Sequence, residues 1–169
     1  MLNRVAIFIA FLGLTLSYRA QDTSSFIFVE CTRNRLDLFV HFGYGTKLND
    51  FQLRGSLGLG INRTFSQQRF FPRFTTGISY DLMQRYRSFL GPEFLFSAST
   101  LRINQLSGKN HYWFEYMLGF RYSTPGKIRF NAGLSAGWLT ELLDSQLDGK
   151  YMLVGNWGYE FSIGLGYAW

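Results

Sequence analysis

The segment that most constrains this chain is its last eleven residues, Tyr159-Glu-Phe-Ser-Ile-Gly-Leu-Gly-Tyr-Ala-Trp169. Tyr159, Phe161, Ile163, Leu165, Tyr167 and Trp169 fall at every second position, with Glu160, Ser162, Gly164, Gly166 and Ala168 between them. Side chains of an extended strand point alternately to its two faces, so this pattern builds one wall of large apolar groups and one of small or polar groups. Such a strand belongs between an apolar medium and a crowded or polar one.

The same alternation recurs upstream. It runs through residues 36–44, 51–62, 70–81, 111–122 and 128–138, and more weakly through 86–98. A further strand near residues 25–32 has the least contrast, and the closing strand extends back to about Tyr151, which makes eight. Residues 82–85 and Ser123-Thr-Pro-Gly126 read as tight joins. Longer polar segments, residues 63–69, 101–110 and 141–150, alternate with them, as expected of a barrel with short turns at one end and loops at the other. Pro92 has no backbone donor and lies within a strand, so a bulge is expected there.

Two solvents could explain alternating strands. A soluble barrel would carry Lys, Glu, Thr and Gln outside and bulky groups inside. Here the less apolar wall is rich in Gly and Ser with isolated charges, which suits the cramped interior of an eight-stranded barrel. The wall of Leu, Ile, Phe and Tyr suits lipid, and Tyr44, Tyr80, Tyr122, Trp138, Trp157, Tyr167 and Trp169 lie near strand ends where interfacial girdles form. Closure removes the sheet edges that lipid cannot hydrate. The expected fold is therefore all-β: a transmembrane, antiparallel, up-and-down barrel of eight strands.

Residues 1–20 stand apart from it. Arg4 opens a mostly apolar run from Val5 to Leu16, which ends in Ser17-Tyr-Arg-Ala20 before Gln21-Asp22. That order reads as a cleaved signal peptide, leaving residues 21–169 as the barrel. The apolar run of about twelve residues is shorter than the ~20 a spanning helix needs, and no run of 18 or more follows. Loss of Arg4 and Arg19 leaves 15 basic and 11 acidic residues, a formal charge of +4, scattered singly, so nucleic acid is not an expected partner. Cys31 is the sole cysteine and reads as a small strand residue.

Face assignment collects a group of charges in the lumen: Asp37, Asp81, Glu93, Glu115 and Glu160 with Arg54, Arg73, Arg87, Arg121 and Arg129. Charges in so narrow a space must be paired. They form either a structural network or a gated proton or ion path. His111 and Glu115 share the lumen face but lie roughly 13 Å apart at ~3.3 Å per residue. Each could instead meet a neighbouring strand, for example at Ser97 or Ser135, and form a nucleophile–base pair. Two His and one Cys without ligand spacing make no metal site, and no phosphate loop or cofactor motif is present. Arg63, Arg69, Arg102, Lys109 and Lys150 fall near the loop rim, where they could hold lipopolysaccharide phosphates.

Taken together, the leader ending in Ala20-Gln21, the alternating strands and the terminal Trp169 resemble the small porin-like outer-membrane β-barrel proteins of Bacteroidetes-type bacteria. The resemblance implies residence in a Gram-negative outer membrane as a monomer, among lipid and lipopolysaccharide. It also implies that Tyr167 and Trp169 form the signal read by the barrel assembly machinery. Barrels of this kind include structural and adhesive proteins, narrow channels, and lipid A deacylases or acyltransferases. The deacylases carry a His and a Ser two residues apart; neither His41-Phe-Gly nor His111-Tyr-Trp matches, so no catalytic residue is carried over. The expected role is structural or surface contact, with a lipid A-modifying enzyme or a narrow channel as alternatives.

Overall fold

The computed structural model describes residues 23–67, 69–83, 88–102, 110–144 and 151–169. The leader, residues 1–20, lies outside them. Eight strands, β1 (Thr23–Asn34), β2 (Leu38–Leu48), β3 (Phe51–Gly60), β4 (Pro72–Tyr80), β5 (Phe89–Arg102), β6 (Asn110–Ser123), β7 (Ile128–Asp144) and β8 (Tyr151–Ala168), pair in sequence order. They close into a barrel, with every neighbour antiparallel and β1 joined to β8 from Phe26–Ala168 to Asn34–Glu160. The faint first strand is therefore real, and it is the one that closes the sheet.

Both described termini lie at one end of the barrel, with the tight turns. At Leu48–Phe51 the chain reverses through Asn49, whose φ of 55° is tolerated by its short polar side chain. The turn from Thr124 to Lys127 uses Pro125 and then Gly126 at φ 104°, a region open to glycine. At the opposite, loop end, β1 and β2 are joined by an Asx turn. Asn34 Oδ1 accepts the N–H groups of Leu36 (2.9 Å) and Asp37 (3.0 Å). Residues 61–66, expected in part as strand, instead include a π-helical turn, Asn62–Ser66, after β3 has ended at Gly60.

The expected bulge at Pro92 is absent. Pro92 pairs with Phe120 in an unbroken one-to-one register from Phe89–Ser123 to Arg102–Asn110. On its other side the β4–β5 ladder stops at Ser79–Glu93, so the missing donor falls just beyond the last paired residue. Pro72, the first residue of β4, bounds the same ladder at the loop end, where pairing stops at Arg73–Ser99.

The rim is uneven. β4 has 9 residues, whereas β7 has 17 and β8 has 18. β7 and β8 stay paired out to Asp144–Tyr151, but β1 accompanies β8 only as far as Glu160. Among the described residues, 151–159 therefore form a raised strand with one edge unpaired.

Burial is inverted relative to a soluble protein. Leu57 and Leu118 are each 70% exposed, while Arg73 and Glu115 are each 1% exposed. Cys31 faces outward with the apolar wall. The lumen is more aromatic than the alternation suggested. Phe39, Phe71, Leu101, Trp113 and Leu139 form one apolar cluster, with Leu36 packed against it, and Phe26, Phe28 and Ala168 form a second. Strand position puts the first at the loop end and the second at the termini end. Glycines make room for the second: a Cβ on Gly45 would stand 2.2 Å from Phe26 Cζ, and one on Gly43 2.3 Å from Phe28 Cζ.

Candidate functional site: a two-tier ion-pair network in the lumen

Between the two apolar clusters the lumen is filled by charge, arranged in two tiers. The first joins Arg54 of β3 and Arg121 of β6 to Glu30 of β1 and Glu93 of β5. Arg54 donates through Nε to Glu93 Oε1 (2.7 Å) and through Nη1 to Glu30 Oε1 (2.9 Å). Arg121 mirrors it, from Nε to Glu93 Oε1 (2.9 Å) and from Nη1 to Glu30 Oε2 (2.9 Å). Two cations and two anions thus form a closed ring across the barrel, and Ser79 Oγ adds a bond to Glu93 (3.3 Å). The Arg54 guanidinium lies 5.9 Å from the Phe28 ring, which sets this tier against the termini-end cluster.

The second tier is built on Arg73 of β4. Its Nη2 donates to Glu115 Oε2 of β6 (2.5 Å), to Glu160 Oε2 of β8 and to Ser97 Oγ of β5 (3.0 Å). Asn34 Nδ2 holds Glu115 from β1, at 3.1 Å to Oε1. Arg73 lies 5.0 Å from the Phe39 ring, so this tier abuts the loop-end cluster. Its charges do not balance: one guanidinium faces two carboxylates. Arg73 Nε and Nη1 have no hydrogen-bond partner among the described residues.

Of the ten charges expected in one network, Arg54, Arg73, Glu93, Glu115, Arg121 and Glu160 are brought together. Asp37 is buried but holds backbone instead, accepting the N–H groups of Leu38 (2.7 Å), Asn62 (3.1 Å) and Arg63 (2.9 Å) and so anchoring the π-helical turn. Asp81 pairs with Lys47 at 2.9 Å near the termini end. Arg129 donates to Gly126 O (3.2 Å) and lies 5.6 Å from the Phe26 ring, below the second cluster and away from every network acid. Arg87 lies outside the described residues. Asp37, Asp81 and Arg129 share the lumen parity, but they stand at other heights. Glu30, central to the first tier, was missed because β1 is apolar on both faces (Phe26 and Phe28 inward, Ile27 and Val29 outward) and shows no contrast.

The histidines do not meet the expected hydroxyls. His111 Nδ1 lies 3.2 Å from Glu141 Oε1 of β7, at the loop-end mouth beside Trp113. Ser97 is taken by Arg73 and by Thr75 (3.1 Å), and Ser135 Oγ contacts Met117 Sδ at 3.7 Å. A hydroxyl–imidazole pair does form elsewhere: Ser56 Oγ and His41 Nδ1 are 3.4 Å apart. Both are buried, His41 with its Nε2 without a hydrogen-bond partner among the described residues and its ring 5.9 Å from that of Phe39.

At the rim, Arg63 turns inward, its guanidinium 5.2 Å from the Phe71 ring and 5.7 Å from Trp113. Arg69 is exposed. Lys109 and Lys150 lie outside the described residues, and Arg102 is placed by its backbone pairing with Asn110. Arg33 and Arg35, not singled out from the sequence, are exposed at the same rim. Tyr167 pairs with Ile27 and Ile128 and faces outward. Trp169, also exposed, donates its N–H to Ser25 O (3.1 Å) and lies 6.4 Å from the Tyr44 ring.

Solved structures share this architecture. The chain is similar to a major outer membrane protein from Thermus thermophilus, with a TM-score of 0.55 at 8% identity, covering 88% of this chain and 100% of that one. It is equally similar to the N-terminal β-barrel domain of Pseudomonas aeruginosa OprF, with a TM-score of 0.56 at 14% identity, covering 86% of this chain and 97% of that one. The fold is that of an outer-membrane barrel. No protein-family model and no curated protein matches the sequence.

Proposed function

We propose that this chain is an integral protein of the Gram-negative outer membrane, of the Bacteroidetes-like kind its sequence resembles, whose closed barrel serves envelope integrity and surface contact. The loop end faces outward and the termini face the periplasm. The observation that carries the reading is the occupied lumen: two ion-pair tiers cross it between two clusters of buried rings. The outward band of Leu, Ile and Phe supports the membrane, and residues 1–20 support export. The raised β7–β8 hairpin, with its unpaired edge over 151–159, supports contact at the surface. Tyr167 and Trp169 act as the assembly signal, and the protein works as a monomer.

Catalysis has less support. A lipid-modifying enzyme needs a nucleophile that lipid can reach, and the Ser56–His41 pair is enclosed by the wall. The test has two readouts. The purified barrel in a planar bilayer is expected to give no discrete current steps, and lipid A from cells with and without the protein is expected to have one mass spectrum. Current steps would replace this reading with a channel; a lipid A species shifted by one acyl chain would replace it with an enzyme.

A further inference from the structure

Of the apolar grooves in the outer wall, two lie over the ends of the β4–β5 seam, one at each. The loop-end groove, of about 680 Å³, runs over β1 to β6 and is lined outward by residues including Phe42, Leu57, Phe70, Pro72, Ala98 and Phe114. The termini-end groove, of about 730 Å³, includes Pro92, Phe94, Ala136 and Tyr159. Each lies where the seam loses its ladder at a proline, since pairing between β4 and β5 covers only Arg73–Ser99 to Ser79–Glu93. Beyond Arg73, β5 continues to Arg102 without a β4 partner, which leaves a notch at Pro72 and Thr100.

The grooves differ in what stands above them. Arg69 precedes Phe70 at the upper lip of the first and is exposed. Arg33, outward on β1 beyond Val29 and Cys31, and Arg35 in the adjoining turn are also exposed at this rim. The acid nearest in the chain, Asp37, is 2% exposed and bound to backbone N–H groups, so no carboxylate on the described part of this lip neutralises the three arginines. The second groove is flanked by Tyr80 and Tyr159, and the nearby Lys47 is already paired with Asp81.

We infer that the loop-end groove is a docking site for lipid A, its acyl chains seated along Leu57, Pro72 and Ala98 and its phosphates held by Arg33, Arg35 and Arg69. The inference rests on the outer-membrane reading above and gives that reading a specific lipid. Apolar contact along the groove supplies most of the attraction, and the guanidiniums select the phosphorylated head over an uncharged one.

The test uses the full mature chain, delipidated in detergent and re-exposed to lipid A or to enzymatically dephosphorylated lipid A, with bound lipid counted by native mass spectrometry. Ala98→Trp, which fills the groove from its floor, is expected to lower lipid A retention by about tenfold or more. Ala136→Trp, the matching change in the other groove, leaves retention unchanged and controls for folding. The combined Arg33→Gln, Arg35→Gln and Arg69→Gln variant binds both lipids alike. Equal retention by the two Trp variants, or equal binding of the two lipids by the unaltered chain, overturns the inference. Fractionation of the expressing cells separates its failure from that of the broader reading. A barrel recovered in the outer membrane but indifferent to lipid A removes only the docking site, whereas one absent from that fraction removes both.

Discussion

Arg73, Glu115 and Glu160 show how a single side chain can set the tolerance of the lumen. The tier around Arg54 and Arg121 holds two guanidiniums and two carboxylates, so any single neutralisation leaves a buried charge uncompensated. Removing one partner of such a pair costs about 3–5 kcal/mol. The Arg73 tier starts with one carboxylate too many. Glu30→Gln is therefore expected to destabilise the barrel by about 3–5 kcal/mol, while Glu160→Gln, which keeps an acceptor for Arg73 and brings the tier to neutrality, leaves stability unchanged or raises it. Urea unfolding in detergent, followed by far-UV circular dichroism, checks the contrast. Equal losses at both sites would show that tier charge does not govern stability. The glycines permit a similar comparison. The three atoms nearest a Cβ on Gly45 all belong to the Phe26 ring, whereas those nearest a Cβ on Gly43 include Gly55 O at 2.7 Å. Both Gly45→Ala and Gly43→Ala overpack, at about 1–3 kcal/mol. Adding Phe26→Ala should relieve the first, while adding Phe28→Ala leaves the second against backbone.

At the scale of elements, the seams differ in length. β4 and β5 share 7 paired residues between two prolines, and β7 and β8 share 17. Backbone amides at the ends of the β4–β5 seam are expected to exchange with deuterium faster than those of Gly133–Gly137 on β7, as read by hydrogen-exchange mass spectrometry; uniform protection would contradict this. Seams of this kind mark the boundary of what the sequence makes legible. Alternation assigned faces correctly for β2 to β8, because each sets large outward groups against inward glycine, hydroxyl or charged residues, even where Phe39, Leu95 or Trp113 interrupts the inward row. It failed for Glu30, where Phe26 and Phe28 make the inward face as apolar as the outward one. Parity also carries no height. Asp37, Asp81 and Arg129 face the lumen as expected, yet the register sets them beside backbone, Lys47 and Phe26, not beside the central ring. Register depends on which residues of two distant strands meet, and no local pattern encodes that. The same limit applies to Pro92. Its missing donor argues for a bulge only if both neighbours pair there, and the ladder to β4 has already stopped at Ser79–Glu93.

For the molecule as a whole, the decisive property is that its inside and outside have exchanged the solvents of a soluble protein, and four tryptophans are placed to measure it. Trp113 lies in the loop-end cluster at 4% exposure, packed edge-on to Phe71 at 5.3 Å. Trp138 and Trp157 are cross-strand partners on the outer face, 6.0 Å apart and 45% and 74% exposed. They stand about ten residues from the start of β7, close to where a strand of 9–11 residues tilted at about 45° completes its passage of the hydrocarbon. Trp169 is outward at the other end. In single-tryptophan variants inserted into vesicles of chain-brominated lipid, Trp138, Trp157 and Trp169 should be quenched, most strongly by bromines close to the headgroup, because amphipathic rings settle at the interface. With bromolipid confined to the outer leaflet, the first two should respond and Trp169 should not. Trp113, shielded by the sheet and the surrounding rings, should respond to neither. Quenching of Trp113 to the level of Trp138 would mean that lipid reaches the lumen, and a charged core beside lipid could not persist. An unquenched Trp113 with quenched outer tryptophans would instead place the apolar band in lipid and the ion-pair tiers behind a wall that lipid does not cross.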